Sequence, residues 1–148
     1  PGSTHSTFAS NPLGTAVGLE TLKMLDEADY ATMTQTKGQY FLDGLRELQQ
    51  RHAVIGDVDG MGLALRIEIC GADGFAPNRA LLDRMVEIAM EGKLRARGRE
   101  YGLVLDVGGY YKNVITLAPA LTISFDEIDL ALELLDQVIS QASRGVSA

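Results

Sequence analysis

Residues 54–70, VIGDVDGMGLALRIEIC, constrain the fold of this chain more than any other stretch. Two short β-rich runs, around Val54–Val58 and Gly62–Cys70, follow each other with Asp59-Gly60 as the turn signal between them. Strands joined so tightly lie antiparallel, because a parallel pair needs a crossover of about a dozen residues or more. A second pair of short runs, near Leu103–Val107 and Asn113–Leu117, is joined by GGYYK. The pattern predicts a small, mainly antiparallel sheet.

Helical patterns surround these runs. Asn11 can cap a helix and Pro12 suits its first position, where a missing N–H costs nothing. Leu13, Val17, Leu22 and Leu25 carry that helix to about Asp26. A second helix is expected from about Ala28 to Arg51, with Met33, Phe41, Leu45 and Leu48 as its apolar stripe and Gly38 as a weak point. GADGFAPN reads as a loop. Pro77 or Asn78 then opens a long helix to roughly Tyr101, with Leu82, Met85, Val86 and Ala89 facing inward and Gly102 as its stop. Ser124-Phe-Asp-Glu127 is a capping box, and it starts a helix striped by Ile128, Ala131, Leu135 and Val138. The tail SRGVSA is expected to fray. The order is α-α-β-β-α-β-β-α, an α+β fold with helices packed on one face of the sheet.

A length of 148 residues suits one domain, and 46% apolar against 22% charged residues supplies a real core. The net charge of −7, with no basic cluster, argues against a nucleic-acid or anionic-membrane surface. One cysteine, Cys70, excludes an internal disulfide; in an alternating apolar run it reads as a buried strand residue. His5 and His52 share no metal-ligand spacing with any Cys, Asp or Glu, so no metal site is expected. No apolar run approaches the roughly 20 residues of a membrane span, and no signal peptide is seen. The expectation is a soluble, cytoplasmic protein.

The residues alone say little about chemistry. No Ser-His-Asp or Cys-His arrangement and no phosphate-binding Walker pattern occurs. GDVDGMG lacks the G-x-G-x-x-G spacing of a dinucleotide site, and DVDG lacks the later ligands of a calcium loop. What remains is HSTFASNPLG. Ser6 and Thr7 place hydroxyls just ahead of a helix N-terminus, a region suited to an anion, and the same residues serve equally as local turn and cap residues.

Here a resemblance enters. HSTFASNPLGTAVGLETLKML is similar to the S-T-[FY]-x-x-N-P-L segment of class III pyridoxal-phosphate aminotransferases, the family of the ornithine, acetylornithine and 4-aminobutyrate enzymes. VIGDVDGMGLALRIEI resembles the family's strand pair, V-x-x-V-R-G-x-G-L-x-x-G-I-E. NVITLAPALTISFDEIDLALELLDQVI resembles its ending, N-V-I-R-x-x-P-P-L-x-I-x-x-E-E-I-D and the last helix. The resemblance implies the C-terminal small domain of a fold type I enzyme at 29–148, preceded at 1–28 by an interdomain, dimer-interface segment. It implies pyridoxal 5'-phosphate as cofactor, a homodimer, and amino transfer from an amine or amino acid donor to a 2-oxo acid. The family's Schiff-base lysine lies in the large domain, and Lys23, Lys37, Lys93 and Lys112 do not match it, so this stretch alone is expected to be inactive. Thr7, with Ser6 beside it, matches the threonine that reaches the phosphate of the partner subunit's cofactor.

The family pattern breaks in three places. Thr116 stands where many members carry a carboxylate-binding arginine, Ala120 replaces the second proline, and Asp59 replaces the arginine of V-R-G-x-G. A threonine donates one neutral hydrogen bond and cannot neutralise a carboxylate. Either the substrate presents no carboxylate at Thr116, or another residue such as Lys112 or Arg66 supplies the charge. Two alternatives accompany the aminotransferase reading: the same cofactor used for racemase, aminomutase or decarboxylase chemistry, and a non-catalytic dimerisation or regulatory module. Studied alone, the chain is expected to expose apolar surface where the large domain and partner subunit would pack, above all on the first helix, about Pro12 to Asp26.

Overall fold

A computed structural model describes Thr7, Phe8 and residues 10–144 of the chain. Two compact units divide it, Pro1–Met33 and Thr34–Ala148.

The first unit holds α1 (Pro12–Glu27). Asn11 caps it as its sequence suggests: the side-chain oxygen accepts from the N–H groups of Leu13 (3.0 Å) and Gly14 (3.2 Å). No residue of α1 is buried, and Leu13 is 75% and Leu22 65% exposed. Its apolar side chains lie open at the surface.

α2 (Tyr30–Arg51) runs from the end of the first unit into the second. Phe41, Leu45 and Leu48 recur at helical spacing and are buried, with Leu42 beside them. Gly38 is the point of closest approach. A Cβ there would lie 2.0 Å from the carbonyl oxygen of Gly62, so only glycine lets the helix meet the hairpin backbone.

The sheet consists of β1 (Ile55–Met61), β2 (Ala64–Ile69), β5 (Asp106–Gly108) and β6 (Val114–Leu117), in the order β1-β2-β6-β5 and antiparallel throughout. Ile67 and Ile115 pair across its centre and are fully buried. α3 (Arg79–Met90) and α4 (Phe125–Ser143) pack together against that side, bringing Leu82 and Met85 from one helix and Ile128, Leu135, Val138 and Ile139 from the other into the same core. Each such side chain contributes about 1.5–3 kcal/mol on burial. The predicted capping box is formed: Ser124 Oγ accepts from the Glu127 N–H at 3.2 Å, and the Glu127 carboxylate accepts from the Ser124 N–H at 2.8 Å. These bonds to Ser124 hold the Glu127 carboxyl below its ordinary range. At the far end of α2, His52 and Arg51 both reach Asp136 of α4, at 2.5 and 3.0 Å, and tie the two helices together.

The observed architecture is the α+β arrangement read from the pattern, with three local corrections. Asp59-Gly60 is not the turn: β1 runs through both residues, and the chain reverses at Gly62-Leu63, where Gly62 has a φ of +56°. α3 stops at Met90 instead of continuing to Tyr101. Residues 94–101 form a separate hairpin of β3 (Leu94–Ala96) and β4 (Arg99–Tyr101), turning at Arg97-Gly98, both with positive φ. Gly102 therefore lies after a strand and ends no helix. The physical reason is visible in the burial: Leu94 and Ala96 face inward and Arg95 outward, a period of two that the dense charge of KLRARGRE disguises as a helix surface. The strand expected near Leu103–Val107 is shorter and later, at Asp106–Gly108.

Two outcomes follow. Gly38→Ala forces α2 off the hairpin and lowers the stability by about 1–3 kcal/mol in chemical denaturation, as overpacking does. The 148-residue chain on its own self-associates through α1, and sedimentation at rising concentration shows it; replacing Leu13, Val17 and Leu22 by serine restores a monomer.

Candidate functional site

The site grows from the pairing of β2 with β6. Asn113 sets it: its side chain is buried and donates to the Ile69 carbonyl at 3.0 Å and to Glu68 at 3.2 Å, while its own carbonyl accepts from the Ile69 N–H at 2.7 Å. With that register fixed, side chains alternate across the sheet, and Ile115 turns inward as Thr116 turns outward. Thr116 stands opposite Arg66 on one side and opposite Asp106 on the other, and Arg66 stands opposite Asp59. Four strands thus contribute one polar row, Asp59–Arg66–Thr116–Asp106.

The charges in the row are already committed. Arg66 donates to Asp57 at 2.8 Å and approaches Asp59 at 3.5 Å, so its guanidinium is engaged on the β1 side. The Thr116 hydroxyl donates to Asp106. Lys112, the other candidate cation, is exposed in the turn between β5 and β6 at a φ of +55°. Beside the Thr116–Asp106 pair runs an open groove of about 360 Å³, with Leu103, Val104, Pro119 and Ile123 among its walls. Asp106 is the one charged residue in the lining, and Val104 is 84% exposed.

Asp106 was not singled out by the sequence. It sits in a run read as a strand, and only the β5–β6 register brings it to Thr116. Alternation within the run is the nearest signal the sequence holds, and it does not name the partner strand.

At the other candidate site, Ser6 lies outside the described residues and Thr7 is exposed in a turn. The turn closes with the Asn11 N–H donating to the Phe8 carbonyl at 3.2 Å, and Ser10 takes a left-handed φ of 61°. The first-turn N–H groups of Leu13 and Gly14 are spent on Asn11, so the helix end itself has less to offer an anion than its position suggests. An exposed Thr7 hydroxyl fits a phosphate oxygen; it is one donor of a phosphate site, not a whole one. No lysine is buried: Lys23, Lys93 and Lys112 are exposed and Lys37 is half-buried. Burial pushes the Cys70 thiol up, which leaves it a packing residue and no nucleophile. Among the described residues, no three His, Cys, Asp or Glu side chains gather as a metal site, and no helix is long and apolar enough to cross a membrane.

Comparison with known proteins fixes the family. The class-III aminotransferase family model matches residues 1–139. A 5-aminovalerate aminotransferase of Pseudomonas aeruginosa is 33% identical over 95% of the chain, and an alanine/serine racemase of Pyrococcus horikoshii is 30% identical over 97%. The chain spans 31% and 28% of the lengths of these two relatives. A solved Bacillus anthracis aminotransferase superposes with a TM-score of 0.77 at 25% identity, covering 94% of this chain and 30% of that one. The chain belongs to the class III aminotransferase family, whose members are pyridoxal 5'-phosphate enzymes.

Asn113→Ala removes the bond that sets the β2–β6 register. It lowers stability by about 0.5–1.5 kcal/mol in chemical denaturation, the net loss of a side-chain hydrogen bond to an Ile69 carbonyl that keeps the Asn78 N–H.

Proposed function

We propose that this chain is the C-terminal part of a homodimeric, cytoplasmic aminotransferase that moves an amino group from an amine or amino acid donor to a 2-oxo acid. The match to the family model over residues 1–139 carries the reading. In this reading residues 1–28 are the interdomain segment and residues 29–148 the small domain. The exposed apolar stripe of α1 supports an interdomain, subunit-facing role for the first segment.

The cofactor, when bound, supplies the electron sink for the reaction. This chain's contribution is binding and shape. Thr7, with Ser6 beside it, donates to the phosphate of the cofactor held by the partner subunit. Asn113 holds β6 in register, and β6 presents Thr116 to the substrate. None of the four lysines occupies a site suited to moving the reacting proton, so the chain by itself is inactive and the lysine comes from the rest of the enzyme.

The racemase among the relatives keeps a second reading in view, the same cofactor used to invert a stereocentre. One set of assays separates the two. The full-length protein carrying this chain is given amine and amino acid donors with pyruvate or 2-oxoglutarate, and both the new amino acid and the optical purity of the donor are followed. Amino transfer is the expected outcome; loss of optical purity with no 2-oxo acid consumed overturns it in favour of the racemase. In the same protein, Thr7→Ala raises the dissociation constant of pyridoxal 5'-phosphate about 10-fold, as loss of one charge-assisted hydrogen bond does, measured by cofactor fluorescence during dialysis. An unchanged constant removes Thr7 from the phosphate site.

A further inference from the structure

The groove beside Thr116 has a chemistry of its own. Its walls are apolar, its one charged lining residue is a carboxylate, and the guanidinium of Arg66, opposite Thr116 on β2, is bound to Asp57 and Asp59 of β1. Thr116 donates its only hydroxyl proton to Oδ2 of Asp106. A carboxylate has about four acceptor positions, so Asp106 keeps Oδ1 and further lone pairs open. A substrate carboxylate arriving here would meet a like charge with no cation in this groove's lining to offset it. An alkyl chain ending in an ammonium finds apolar walls for its methylenes and an acceptor for its head.

We propose that the Thr116–Asp106 pair is a specificity subsite that receives the ammonium end of an α,ω-diamine and turns away the carboxylate end of an ω-amino acid. The proposal rests on the reading of Thr116 as a substrate-facing residue of an aminotransferase. It assigns the selecting charge to Asp106. Thr116 acts as a positioning residue, its hydroxyl orienting the carboxylate.

The test uses the full-length protein with straight-chain α,ω-diamines and ω-amino acids of equal length, as ligands in calorimetry and as amino donors. The expected result is tighter binding and higher kcat/KM for the diamine. Asp106→Asn reduces both for the diamine about 10-fold and narrows the diamine's advantage over a monoamine of the same length, because the charge-assisted bond to the ammonium is lost. Thr116→Arg reverses the preference towards the ω-amino acid. Equal or better use of the ω-amino acid by the unaltered protein, or a diamine preference that survives Asp106→Asn, overturns the subsite. Turnover of no donor at all strikes at the aminotransferase reading instead, and calorimetry still decides the subsite: diamine binding that depends on Asp106 supports it, and binding that ignores Asp106 refutes it.

Discussion

The β2–β6 pairing is the contact on which the rest of this structure depends. It joins segments some 45 residues apart in sequence, as the Asn113–Glu68 bond shows, and nothing local enforces it. The energy comes from both sides. Ile67 and Ile115 meet on the inner face over α3 and α4, and Asn113 closes the polar accounts at the strand's start. Because strand side chains alternate with a period of two, a slip of one residue would turn Thr116 into the core and Ile115 out to water. Core packing and site geometry are therefore the same constraint read from opposite faces of one strand.

That coupling fixes which charges the outer row pairs and which it leaves open. A sheet with one buried face leaves the other free to carry charge, and here the charge is arranged so that each cation is answered by its neighbours across the strands. The consequence for chemistry is subtractive. Arg66 looked available in the sequence, but its charge is divided between two aspartates, and the hydroxyl of Thr116 is spent on a third. What is left facing the groove is acceptor capacity.

Much of this was legible in the sequence, for identifiable reasons. Asn11-Pro12 and Ser124–Glu127 are local signals whose partners lie within three residues, and both caps form. The hairpin at Leu94–Tyr101 was lost inside a helix because its charged residues imitate a solvated helix face, although Gly92 and Gly98 marked both of its turns. The reversal lies at Gly62-Leu63, three residues beyond Asp59-Gly60, although Asp59-Gly60 is the stronger dipeptide signal in isolation. Gly62 takes the left-handed φ of +56° at the reversal, and the bare α-carbon of Gly38, in another element, leaves room for the hairpin tip. The Thr116–Asp106 pair was invisible for the same reason: its two halves belong to different strands, and only the assembled sheet introduces them.

α1 has a last implication. Its 16 residues include two glycines, no acidic side chain in the first turn and no basic one in the last, and the hydroxyls of Thr15 and Thr21 bond back to carbonyls four residues earlier. A helix of this length and composition is marginal in water on its own. Docking such a segment couples coil-to-helix ordering to apolar burial, a combination with a large negative heat-capacity change. For the proposed dimer, such a change makes any assembly through α1 steeply temperature-dependent.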